Sequence, residues 1–192
     1  MPSTARFCEA LEYAVQLHVG QRRKGSDTPY IAHLLSVTAI VLEHGASEDE
    51  AIAALLHDAV EDQGGAPVRE EIRRRFGPAV AAIVDGCSDS ETIPKPPWRE
   101  RKEKFLAQLP SAGRSVHLVT AADKLHNTRS LVDDYREHGE SLWDRFSGGR
   151  TGTLWYYRAV VDLLASSLPG PLVEKLGRAV SELERIAVER DI

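Results

Sequence analysis

Cysteine, methionine and aromatic residues are scarce in this chain, and so are long apolar runs. Of 192 residues, two are cysteine, one is methionine and 6% are aromatic. Cys8 and Cys87 lie far apart and in neither a CxxC nor a metal-knuckle spacing, which rules out a disulfide framework. The stretch Met1 to Gln21 breaks its apolar positions with Arg6, Glu9 and Glu12, and no segment approaches the roughly 20 consecutive apolar residues that span a bilayer. The expected setting is therefore cytoplasmic, with no membrane partner. Positive charge is not in excess either. Lys and Arg number 24 against 29 Asp and Glu, a net charge of -5, which argues against the sequence-independent grip of a nucleic-acid-binding domain. What is present is an ordinary globular composition, 42% hydrophobic and 28% charged, sufficient for one domain over 1–192.

The hydrophobic spacing is helical almost throughout, so the expected fold is all-α. A first amphipathic helix is expected from about Thr4 to Gln21, ending in the cluster Arg22, Arg23, Lys24. After Gly25 to Pro29 a second helix carries Ile31, Leu34, Val37 and Val41 and stops at Gly45. Ser47 with Glu50 forms a capping box opening a third, expected to run unbroken to about Asp62, where Gly64-Gly65 ends it. Pro67 and Pro78 each begin a shorter helix. Thr92 to Trp98, with three prolines, reads as a surface loop leading into the basic segment Arg99 to Lys104. Further helices are expected over about Ser115–Leu131, Thr151–Leu168 and Pro171–Glu189, with Asp133 to Gly152 as a long connection.

Four residues have the chemistry of ligands for a divalent ion: His33 on the second helix, His57-Asp58 on the third, and Asp123 on a later one. Two imidazoles and two carboxylates suit Mn²⁺, Fe²⁺ or Zn²⁺. At about 100° per residue, His57, Asp58, Glu61 and Asp62 share an arc of about 140°, with Leu55, Leu56, Ala59 and Val60 elsewhere on the circumference. Ala51 and Ala54 lie above that arc and would leave room for a ligand. Taken alone, such a stripe is explained as well by a solvated face. A second stripe, Asp123, Asn127 and Ser130, recurs on a helix flanked by Leu118, Val119, Ala121, Ala122 and Leu125, and polar groups inside an apolar helix need a partner.

The order His, His-Asp, Asp resembles the HD superfamily of metal-dependent phosphohydrolases. A closer resemblance is carried by Gln21-Arg22-Arg23-Lys24-Gly25, Thr28 to His33 (TPYIAH), Ala54 to Asp62 (ALLHDAVED), Phe76-Gly77 and Ala122 to Leu131 (ADKLHNTRSL). Together these look like the hydrolase domain of RelA/SpoT-type alarmone enzymes, over roughly residues 5–168, and the length resembles the stand-alone small alarmone hydrolases. The resemblance implies removal of the 3′-diphosphate of (p)ppGpp, a small nucleotide, to give GDP or GTP and pyrophosphate, with Mn²⁺ as cofactor. It implies His33, His57, Asp58 and Asp123 as metal ligands and Glu61 and Asp62 as the residues that orient and deprotonate the attacking water. It further implies Arg23, Lys24, Asn127, Ser130 and Tyr156 as substrate contacts; Trp155 and Tyr157 are expected in the core, as aromatics at helical spacing usually are. Leu34 stands where the family usually has proline. The alternatives are an HD-type phosphohydrolase acting on another nucleotide or cofactor phosphate, and a binding protein without turnover.

Overall fold

A computed structural model describes residues 5–90 and 94–189; Thr4 and part of the proline-rich loop lie outside the described residues. Those residues are all-α, and their β-type pairing is limited to an isolated bridge between Arg22 and Pro29. Helices α1 (Ala5–Leu17), α2 (Ile31–Glu43) and α3 (Glu48–Leu56) pack together, then α5 (Ala66–Phe76) and α6 (Pro78–Cys87) form a pair, with α6 against α3. The longest helix, α8 (Arg114–His138), runs past α2, α3 and α6 and is flanked by α9 (Gly149–Ser167) and α10 (Pro171–Glu189).

Local chemistry sets several boundaries as expected. The Ser47 hydroxyl accepts from the Glu50 backbone N–H at 3.3 Å while the Glu50 carboxylate accepts from the Ser47 N–H at 2.7 Å, so α3 opens on a reciprocal cap. Pro67 and Pro78 sit in the first turns of α5 and α6, where a missing N–H costs nothing. In α10, Leu172, Val173, Leu176, Val180 and Leu183 are buried against α8 and α9.

Four expectations are corrected. The third helix is broken: α3 ends at Leu56, and after His57-Asp58 a short α4 (Ala59–Gln63) follows, with Asp58 as its N-cap residue. Ala51 and Ala54 are fully buried in helix packing and leave no room for a ligand. The basic segment after the proline loop is itself a helix, α7 (Trp98–Gln108), anchored by buried Phe105. Finally, Asp133 to Gly152 is not an open connection. Helix α8 continues to His138 and a 3-10 turn covers Gly139–Arg145, because Val132, Tyr135, Leu142 and Trp143 bury with Leu183 and Ala187 of α10.

Helices α6 and α8 meet at Gly86, where an added Cβ would lie 2.5 Å from Cγ2 of Val116. A glycine inside a helix normally gains stability on replacement by alanine. Here the neighbour is the buried, β-branched Val116, stiff at χ1, so Gly86→Ala is expected to destabilise by about 1–3 kcal/mol in urea unfolding. A gain in stability would contradict the close approach.

Candidate metal centre and adjoining cavity

Three separate elements deliver four side chains to one buried point. His33 comes from the first turn of α2, His57 and Asp58 from the joint between α3 and α4, and Asp123 from the middle of α8. His33 is 1% exposed, His57 2% and Asp123 6%. The His33 Nε2 lies 3.5 Å from Asp58 Oδ2 and 3.3 Å from Asp123 Oδ1; the His57 Nε2 lies 3.0 Å and 3.6 Å from the same two oxygens. Despite these distances, neither Nε2 has a hydrogen-bond partner among the described residues. The nitrogens and oxygens face a common point rather than one another.

That geometry fits a metal ion. Ligand atoms about 2.1 Å from a shared ion at tetrahedral to octahedral angles stand about 3.0–3.4 Å apart, close to the spacings seen. His33, His57 and Asp58 form a group whose ligand atoms all lie within 4.8 Å of one another. Without a cation such a cluster is costly, since buried polar atoms left unpaired carry their full desolvation penalty. The charges show the tension. Burial disfavours a protonated His57, yet the Asp58 and Asp123 carboxylates hold its pKa well above the usual imidazole value. Burial likewise opposes ionisation of Asp58 and Asp123, but His57 beside the first and Lys124 beside the second keep both well below the usual carboxylate range.

Outer contacts orient each ligand. The His57 Nδ1 lies 2.9 Å from the Ala54 carbonyl, to which it donates, so Nε2 is the ring nitrogen turned inward. The His33 Nδ1 lies 2.8 Å from the Nδ1 of His126. Burial and the neighbouring His33 and Arg23 charges lower the His126 pKa to about 4, so this imidazole is neutral and can accept the His33 proton. The Tyr30 hydroxyl donates to Asp58 Oδ2 at 2.6 Å, and Lys124 Nζ and Asn127 Nδ2 contact Asp123 at 2.6 and 2.5 Å.

Glu61 and Asp62 lie on α4, one turn beyond the His57-Asp58 joint. Lys95 Nζ bridges them at 2.9 Å from each, Arg101 stands 3.5 Å from Glu61, and Gln21 donates to Asp62 at 3.1 Å. Burial first, then the charges of Asp89 and Asp58, raise the Glu61 pKa above its ordinary value against the pull of Lys102 and Lys95.

On the other side of His33 a cavity of about 390 Å³ opens, whose walls include Arg23, Lys24, Asn127, Ser130, Phe146 and Tyr157. Four of the five expected substrate contacts are thus brought together there. Arg23 donates to the Asn127 side-chain oxygen at 2.8 Å, and Lys24 Nζ sits 5.2 Å from the Phe146 ring centroid. Tyr156 is not among the lining residues. It is 4% exposed, packed edge-on to Trp98 and against Phe105, while Tyr157 faces the cavity. The phase of α9 against α7 exchanges the two tyrosines relative to the sequence expectation. Sequence reasoning also passed over Tyr30, Lys95 and His126; for His126 the signal was present, since it follows Asp123 by three residues and so shares its helix face.

The HD domain family model matches residues 10–154. The chain belongs to the HD domain family. It is similar to the guanosine-3′,5′-bis(diphosphate) 3′-pyrophosphohydrolase MESH1 of Xenopus tropicalis, 42% identical over 130 residues, 66% of this chain and 70% of that one. It is also similar to a GTP pyrophosphokinase of Streptomyces coelicolor, 38% identical over 141 residues, 72% of this chain but 16% of that longer protein. Among solved structures, one described as a metazoan ortholog of SpoT that hydrolyzes ppGpp superposes with a TM-score of 0.74 at 29% identity, covering 97% of this chain and 96% of the other.

Two measurements follow from this centre. Divalent ion at a hundred times its Kd is expected to stabilise the protein by about 2.7 kcal/mol in thermal unfolding, and chelation to remove that gain. Tyr30→Phe, which deletes only the hydrogen bond to Asp58, is expected to weaken metal binding about 10- to 100-fold by calorimetric titration, with helicity unchanged.

Proposed function

We propose that this chain hydrolyses the 3′-diphosphate of guanosine alarmones, (p)ppGpp, to GDP or GTP and pyrophosphate, with Mn²⁺ as the working ion. The observation that carries the reading is the pair of buried, unpartnered His Nε2 atoms facing two carboxylates, beside a cavity lined by Arg23 and Lys24. The similarity to relatives named as 3′-pyrophosphohydrolases supplies the substrate class.

His33, His57, Asp58 and Asp123 would hold the ion. When bound, a divalent ion lowers the pKa of water and neutralises charge on phosphoryl oxygens. The residues around it do the rest. Arg23 and Lys24 draw the nucleotide polyphosphate into the cavity, and Asn127 and Ser130 offer hydrogen bonds along the same wall. The water oxygen bonds to the phosphorus attached to O3′ and the P–O3′ bond breaks. A proton from the water passes to Glu61, whose raised pKa brings it nearer the range useful to a general base, with Asp62 holding the water in place. Glu61 then gives up this proton through solvent, and O3′ takes one from solvent, so the carboxylate is restored and the 3′-hydroxyl is formed. Lys95 and Arg101, beside these carboxylates, offer positive charge to the departing pyrophosphate.

Incubation with ppGpp and Mn²⁺ is expected to yield GDP and pyrophosphate, with no orthophosphate. Asp58→Ala abolishes both metal binding and turnover. Glu61→Gln keeps the metal and lowers kcat by about 10²–10⁴-fold. Release of orthophosphate instead would turn the assignment to a phosphatase acting on another nucleotide.

A further inference from the structure

The cavity holds a charge that polyphosphate binding does not explain. Asp134 lies on its wall, half-buried, and has no hydrogen-bond or ion-pair partner among the described residues. Lys24, in the same cavity, lies over the Phe146 ring rather than against this carboxylate. Asp134 follows Asp123 by eleven residues of one continuous helix, three turns plus about 20°, so it sits on the face that carries Asp123 and Ser130, about 16 Å further along the axis. A nucleotide lying along α8 with its scissile phosphorus beside Asp123 therefore ends near Asp134. A carboxylate without a partner there disfavours a phosphate and favours a moiety that presents hydrogen-bond donors. The same cavity is walled in part by Leu131, Phe146 and Tyr157, flat or apolar surfaces that suit the plane of a base.

We propose that Asp134 is the residue that selects guanine. Guanine presents N1–H and the N2 amino group side by side, two donors matched to two carboxylate oxygens. Adenine presents an acceptor at N1 and leaves one oxygen unpaired against a lone pair, so it is rejected rather than merely bound less well. This inference rests on the proposed nucleotide reading for the class of ligand, not for the reaction.

The test separates binding from turnover. Calorimetric titration of the full chain with GDP, IDP and ADP is expected to give wild-type affinities in that order, GDP exceeding ADP by about 10- to 100-fold, with IDP between them because it keeps N1–H and lacks the amino group. Asp134→Ala levels the three. Asp134→Asn moves the preference toward ADP, since an amide can accept from N6 and donate to N1. In turnover of ppGpp, Asp134→Ala raises KM about 10- to 100-fold, with the loss in KM rather than kcat. Equal wild-type affinity for GDP and ADP, or a guanine preference surviving in both variants, overturns the assignment. If the guanine preference disappears in the variants while wild type fails to hydrolyse ppGpp, Asp134 stands as the base selector and the proposed reaction falls.

Discussion

Two carboxylates, Asp58 and Asp123, are held ionised inside the molecule, and much of the structure follows from what it takes to keep them there. A buried charge is tolerated only when it is paired and hydrogen-bonded. Asp58 has the imidazoles of His33 and His57 and the Tyr30 hydroxyl; Asp123 has the same imidazoles together with Lys124 and Asn127. Lys124 is then a partly buried cation in turn, 6.0 Å from the Phe105 ring and 5.6 Å from that of Tyr156. The aromatic faces of α7 and α9 thus form the far wall of the metal centre, supporting the ammonium group that neutralises Asp123. Tyr156 also receives Lys102, at 4.8 Å, whose other partner is Asp89 at 2.5 Å. One buried ring therefore braces two cations, a structural duty that accounts for its absence from the cavity wall.

The joint at His57-Asp58 solves a second problem. On an unbroken helix His57 and Asp58 would diverge by about 100°. At the joint between α3, ending at Leu56, and α4, starting at Ala59, His57 Nε2 and Asp58 Oδ2 approach to 3.0 Å, while Glu61 and Asp62 stand on the next element beside Lys95. His57-Asp58 and Glu61-Asp62, close in sequence, thus fall on the joint and on the short helix that follows it.

This division also explains which features could be read from the chain. The capping box at Ser47, the prolines opening α5 and α6 and the apolar stripe of α10 are local signals, and the structure follows them. Neither glycine nor proline marks the joint, and what accompanies it is the Tyr30 bond to Asp58, from a segment distant in sequence, together with the local His57 bond to the Ala54 carbonyl. The identity of the cavity-facing tyrosine depends on how α9 is rotated against Trp98, which adjacent aromatics at 155, 156 and 157 leave open. Asp134 was hidden by a boundary. With the helix taken to end near Leu131 it belongs to a connection, and only the burial of Val132 and Tyr135 extends the helical face as far as its position.

The electrostatics of the whole chain and of the site point in opposite directions, and the contrast has a use. The net charge is -5, yet Arg23 and Lys24 stand on one side of the buried His/Asp centre and Lys95, Arg101 and Lys102 gather by Glu61, Asp62 and Asp89. A concave site with low-dielectric walls concentrates the field of such groups, so a small polyanion is drawn in at close range. Positive charge is thus gathered at the candidate site although the chain as a whole is acidic.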